Sequence, residues 1–120
     1  MTGRIVLIED DPDIAALVEE MLREGGHEVD VRMTLDDGAL DYEARVVITD
    51  LVAVRAYDPE VAREWIRLVR ARFPRAKIIV STAHAPAAAS GAEFLGADAV
   101  IAKPFSLPAF MQTVDAVLGA

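Results

Sequence analysis

Short apolar runs recur along the chain, and each stops at polar residues. Ile5-Val6-Leu7-Ile8 stops at Glu9-Asp10-Asp11, and Val46-Val47-Ile48-Thr49 stops at Asp50. Ile78-Ile79-Val80-Ser81 runs into Thr82-Ala83-His84, and Ala99-Val100-Ile101-Ala102 into Lys103-Pro104. β-Branched side chains favour extended backbone, and an uninterrupted apolar run suits a parallel strand covered on both faces. Glu28 to Arg32 instead alternates, with Val29 and Val31 on one side, as a partly exposed edge strand would.

The segments between these runs read as helices. Asp11-Pro12 and Asp58-Pro59 each pair a capping acid with a proline suited to the first helical turn. After the first, Ile14, Leu17, Val18, Met21 and Leu22 recur at helical spacing, and Gly25-Gly26 ends the run. After the second, Val61, Trp65, Leu68, Val69 and Phe73 form an apolar stripe, with Arg63, Arg67 and Arg70 on the other side and Pro74 as the stop. These arginines read as a solvated face paired with Glu60 and Glu64. Thr34 to Ala44 leaves room for two to three helical turns. Leu51 to Tyr57 has no clear period and reads as a loop. Pro86 to Leu95 predicts a short alanine-rich fourth helix ended by Gly96. Ser106 is expected to cap a last helix whose Phe110, Val114, Val117 and Leu118 face inward. Five strands thus alternate with five helices, which implies parallel strands, right-handed crossovers and helices on both faces of the sheet.

At 120 residues the chain is expected to be one domain, residues 1–120. A net charge of −8 argues against a nucleic-acid partner and against an anionic membrane surface. Cysteine is absent, which excludes disulfides and thiolate metal sites. No signal peptide or membrane span is apparent, so a soluble cytoplasmic protein is expected.

Parallel strands point their carboxyl ends the same way, so Glu9, Asp10, Asp50, Thr82 and Lys103 should gather on one rim, where ligands bind in open α/β folds. Three carboxylates at roughly 5 Å, with an effective dielectric near 20, repel by about 3 kcal/mol per pair. A divalent cation resolves this, and oxygen donors from carboxylates suit Mg²⁺. Lys103 adds a positive charge and Thr82 a hydroxyl able to donate to an oxyanion. Together these suit aspartyl phosphorylation: the carboxylate attacks, and cations neutralise the transferring group.

These residues resemble the response-regulator receiver domains, the CheY-like family of two-component signalling and phosphorelays. The resemblance spans the chain and rests on Ile5 to Pro12 (IVLIEDDP), Val46 to Leu51 (VVITDL), Ile79 to Ala83 (IVSTA) and Gly96 to Phe105 (GADAVIAKPF). It implies a doubly wound, flavodoxin-like α/β fold with a parallel sheet of order 2-1-3-4-5. It implies that Asp50 accepts a phosphoryl group from a histidine kinase or phosphotransfer protein. Asp10 would ligate Mg²⁺ directly and Glu9 through water, with Asp50 and the Val52 carbonyl completing the set. Thr82 would be the switch hydroxyl, Lys103 would pair with the phosphoryl group, and Ala83 would keep the site accessible. The Lys103-Pro104 bond would be cis, and Val52 and His84 would occupy positions that tune dephosphorylation.

The expected protein is a stand-alone receiver, not an enzyme beyond its own phosphotransfer and autodephosphorylation. It would signal by changing what binds the face of its fourth helix, fifth strand and fifth helix; the downstream partner is unidentified and a homodimer stays open. The chain departs from the family pattern at Val100, where many receivers have an aromatic, at Val54, where proline is usual, and in a longer loop after Asp50. Two rival readings follow: a pseudo-receiver that switches without phosphate, and an aspartate-nucleophile phosphohydrolase, which would want an acid where Val52 stands. Asp11 reads as a cap, Trp65 as core, and His27 as a surface residue before the edge strand.

Overall fold

The computed structural model describes residues 4–35, 38–51 and 58–119. β1 (Arg4–Ile8), β2 (Glu28–Arg32), β3 (Val46–Thr49), β4 (Lys77–Thr82) and β5 (Ala99–Ala102) form one sheet. Every pairing is parallel and the order is β2-β1-β3-β4-β5, as expected. The central strands are buried almost throughout, which is why their sequences are continuous apolar runs.

The two sheet faces carry separate cores. On one, Ile5, Leu7, Val46, Ile48 and Ile79 pack under α1 (Pro12–Glu24) and α5 (Leu107–Gly119). On the other, Val6, Ile8, Val47, Ile78 and Val80 pack under α2 (Pro59–Arg72), α3 (Ala85–Ser90) and α4 (Ala92–Leu95). Strand residues alternate between the two cores because successive side chains leave opposite faces. Asp11 and Asp58 are the N-caps of α1 and α2, each followed by proline and each accepting two backbone amides.

Several expectations need correction. Among the described residues no helix lies between β2 and β3. Asp41 organises that stretch instead. Its carboxylate accepts the amides of Glu43 and Ala44 and the Arg4 guanidinium, and its own amide donates to the Arg72 carbonyl. Such local side-chain bonds compete with a helix for the same backbone groups. The single fourth helix is two short ones, α3 and α4, separated at Gly91 with φ +84°. A positive φ stops the helical run at a residue without a Cβ.

The inward faces are also shifted. On α2 the buried positions are Ala62, Trp65, Ile66 and Val69, whereas Val61 and Leu68 are exposed. On α1, Ala15 is buried and Leu17 exposed. On both helices the residue next along, Val18, Ala62 or Val69, is the buried one. His27 is buried, not on the surface; its Nε2 lies 4.0 Å from Asp115 Oδ1 of α5. Of the arginines on α2, Arg67 pairs with Glu64, but Arg70 reaches the Gly96 carbonyl and Asp98, and Arg63 lies over the Phe94 ring. These last contacts fasten α2 to α4. Ser106 receives the Ala109 amide at the start of α5.

Candidate functional site

The site is assembled by strand register. Ile8 pairs with Thr49, so the next residues, Glu9 and Asp50, leave the sheet side by side. Thr82 pairs with Ala102, so Lys103 leaves β5 beside the end of β4. Backbone bonds hold these exits: the Asp50 amide donates to the Ile8 carbonyl at 2.9 Å, and the Lys103 amide to the Thr82 carbonyl at 2.8 Å. The Glu9 amide donates to the Arg32 carbonyl at 3.0 Å.

Glu9, Asp10 and Asp50 each present a carboxylate oxygen to one place, all within 4.8 Å of one another. Their exposure differs: Glu9 is buried, Asp50 half-buried and Asp10 exposed. Burial pushes the Glu9 carboxyl above its ordinary range; the bonded Lys103 ammonium opposes this, and the neighbouring Asp50 charge reinforces it. Lys103 Nζ lies 2.6 Å from Glu9 Oε1 and 3.6 Å from Asp50 Oδ2. An ammonium among three acids is itself a sign that the position favours positive charge. An all-oxygen, anionic donor set of this kind fits a hard divalent cation such as Mg²⁺.

Asp50 is oriented by its own neighbours, with Oδ1 accepting the Leu51 amide at 2.8 Å. Thr82 is buried at the end of β4, and its Oγ1 accepts the His84 amide at 3.0 Å. Ala83 beside it is exposed, and His84 is the half-buried N-cap of α3. The Lys103-Pro104 peptide is cis. Val100 is half-buried and packs on the core under α2. Val52, Val54 and the rest of residues 52–57 lie outside the described residues. Asp11 caps α1 through Oδ1, while its amide donates to Glu9 Oε2 at 3.3 Å.

Sequence reasoning missed Thr49. This buried hydroxyl receives the Trp65 indole N–H at 2.9 Å and lies 2.6 Å from the Asp50 carbonyl oxygen. The only signal was a threonine in a run otherwise apolar up to Asp50. A groove of about 390 Å³ between α2 and α4, lined by Arg63, Arg67, Arg70 and Leu95, contains none of the rim acids.

No protein-family model matches the sequence. Solved structures do. A response regulator receiver protein from Burkholderia phymatum is 26% identical, with a TM-score of 0.70 over 98% of this chain and 95% of that one. The response regulator protein TrrA from Thermotoga maritima, solved in complex with Mg(2+)-BeF, is 26% identical, with a TM-score of 0.67 over 96% and 98%. Another response regulator from Thermotoga maritima is 17% identical but superposes with a TM-score of 0.74 over the whole of both chains. No helix among the described residues is long and apolar enough to cross a membrane. With the sheet order, the acids and lysine at its strand ends and this end-to-end overlap, the chain has the fold of the CheY-like response-regulator receiver domains.

Proposed function

We propose that the protein is a phosphoacceptor of two-component signalling, taking a phosphoryl group on Asp50 from a histidine kinase or phosphotransfer protein. The observation that carries this is the convergence of Glu9, Asp10 and Asp50 within 4.8 Å, with the Lys103 ammonium against them.

Glu9, Asp10 and Asp50 would hold Mg²⁺, with the Val52 carbonyl expected to join them. When bound, the ion neutralises charge on the transferring phosphoryl oxygens. An Asp50 carboxylate oxygen attacks phosphorus and forms a new O–P bond. The P–N bond to the donor histidine breaks, and the imidazole nitrogen keeps the electron pair. Lys103, whose Nζ lies between Glu9 and Asp50, would turn to the phosphoryl group. Thr82 offers its hydroxyl, and the small side chain of Ala83 leaves the approach open. Val52 lacks a polar group to orient a hydrolytic water; His84 is the remaining side chain that could serve that step.

The product carries an added charge of about −1.5 to −2 at the rim. Movement of Thr82 and Lys103 toward it would be passed to the face formed by α3, α4, β5 and α5, changing its affinity for a protein partner. Incubation with a small phosphodonor and Mg²⁺ should give acid-labile labelling of the wild type and none of Asp50→Ala. Labelling that survives in Asp50→Ala would exclude Asp50 as the acceptor.

A further inference from the structure

Thr49 is fully buried, yet a valine would serve its strand equally well in shape. A buried hydroxyl is unfavourable unless bonded, so core packing does not account for it. It is bonded twice, to Trp65 Nε1 at 2.9 Å and to the Asp50 carbonyl at 2.6 Å. The polarity is forced. An indole N–H only donates and a carbonyl only accepts, so the hydroxyl must accept from Trp65 and donate to Asp50.

The Asp50 peptide is thereby held on two sides: its amide by the Ile8 carbonyl of β1, its carbonyl by Thr49. Trp65 stands behind Thr49 and fixes which way that hydroxyl points. Trp65 belongs to α2, and Arg70 and Arg63 tie α2 to α4. We propose that Thr49 and Trp65 are positioning residues for Asp50, a buried relay that sets the backbone bearing the carboxylate and couples it to α2. This rests on Asp50 being the phosphoacceptor.

The test compares the initial rate of acid-labile labelling, with Mg²⁺ and a small phosphodonor, in wild type, Thr49→Val, Thr49→Ser, Trp65→Phe and the Thr49→Val/Trp65→Phe double variant. Thr49→Val and Trp65→Phe should each be slower by about fivefold, the factor that one hydrogen bond of ordinary net strength represents. Thr49→Ser keeps the hydroxyl and should restore near wild-type rates. The double variant should be no slower than Thr49→Val, since Trp65 acts through Thr49. Trp65 is the sole tryptophan, so its indole N–H gives one assignable proton resonance. That resonance should shift when Mg²⁺ and beryllofluoride are added to the wild type.

Wild-type labelling rates in Thr49→Val, failure of serine to rescue, or multiplicative losses in the double variant would overturn the relay. So would an indole resonance that stays fixed while the Asp50 amide moves, a reading that needs no variant to fold. Absence of labelling in the wild type itself would instead overturn the phosphoacceptor reading, and the relay with it.

Discussion

Lys103 Nζ sits 2.6 Å from Oε1 of Glu9, although 94 positions separate the two residues, and both side chains are largely shielded from water. Removing one partner of such a pair leaves a charge without compensation in a poorly solvated place. Lys103→Met is therefore expected to lower stability by about 3 kcal/mol at neutral pH. Because Mg²⁺ would take over the ammonium's task at the same carboxylates, it should stabilise Lys103→Met more than the wild type. Urea unfolding of both proteins with and without Mg²⁺ measures this; equal Mg²⁺ stabilisation would show that the ion does not share the position.

Asp11 accepts the amides of Asp13 and Ile14 and so caps α1, while Asp10 faces the acid cluster. Asp11→Ala should cost about 1 kcal/mol, as loss of a capping side chain does. Its Mg²⁺ affinity should stay near that of the wild type, whereas Asp10→Ala should lose at least about tenfold, the loss of one charged ligand. Calorimetric titration with Mg²⁺ separates the two roles.

Asp41 supplies the pH dependence that can be assigned. Partial burial opposes ionisation, but the Arg4 guanidinium and the amides of Glu43 and Ala44 outweigh it and hold the carboxyl below its ordinary value. A carboxyl depressed in the folded state binds fewer protons there than in the unfolded chain. Its contribution is complete above the ordinary aspartate range and is lost as pH falls through the lower folded value. Asp41→Asn should therefore be less stable than wild type at pH 7, by about 1–2 kcal/mol as for bonds to a charged group. The gap should close as the solution is acidified below about pH 4. Denaturant unfolding across pH 2 to 7 gives the comparison, and a gap independent of pH would contradict it.

Gly96 ends α4 with φ +81°, in the left-handed region. A Cβ there would meet nothing closer than the Ile66 side chain at 3.9 Å, so the cost of Gly96→Ala is conformational, about 1 kcal/mol. The loss should appear in thermal unfolding while labelling of Asp50 is retained.

Much of the architecture was legible because its signals are local. The apolar runs became β1, β3, β4 and β5, and Asp-Pro pairs marked the starts of α1 and α2, since caps and strand periodicity act within a few residues. The stretch before β3 misled because Thr34 to Ala44 has the length of a short helix. What settles it is Arg4, distant in sequence, drawing Asp41 into a turn. His27 misled for a similar reason: a polar residue after two glycines looks exposed until α5 packs over it.

The sequence by itself determined the polar residue at each strand end and, through parallel alternation, that all would meet on one rim. Only the tertiary structure decided which of them touch. Lys103 rests on Glu9 as well as near Asp50, and Trp65 reaches Thr49 rather than merely filling space. Those contacts depend on strand register and on the rotation of each helix against the sheet, which arise from packing the whole chain at once. A periodic pattern fixes the side of a helix to within about one residue, and 100° of turn per residue is enough to exchange Val61 for Ala62.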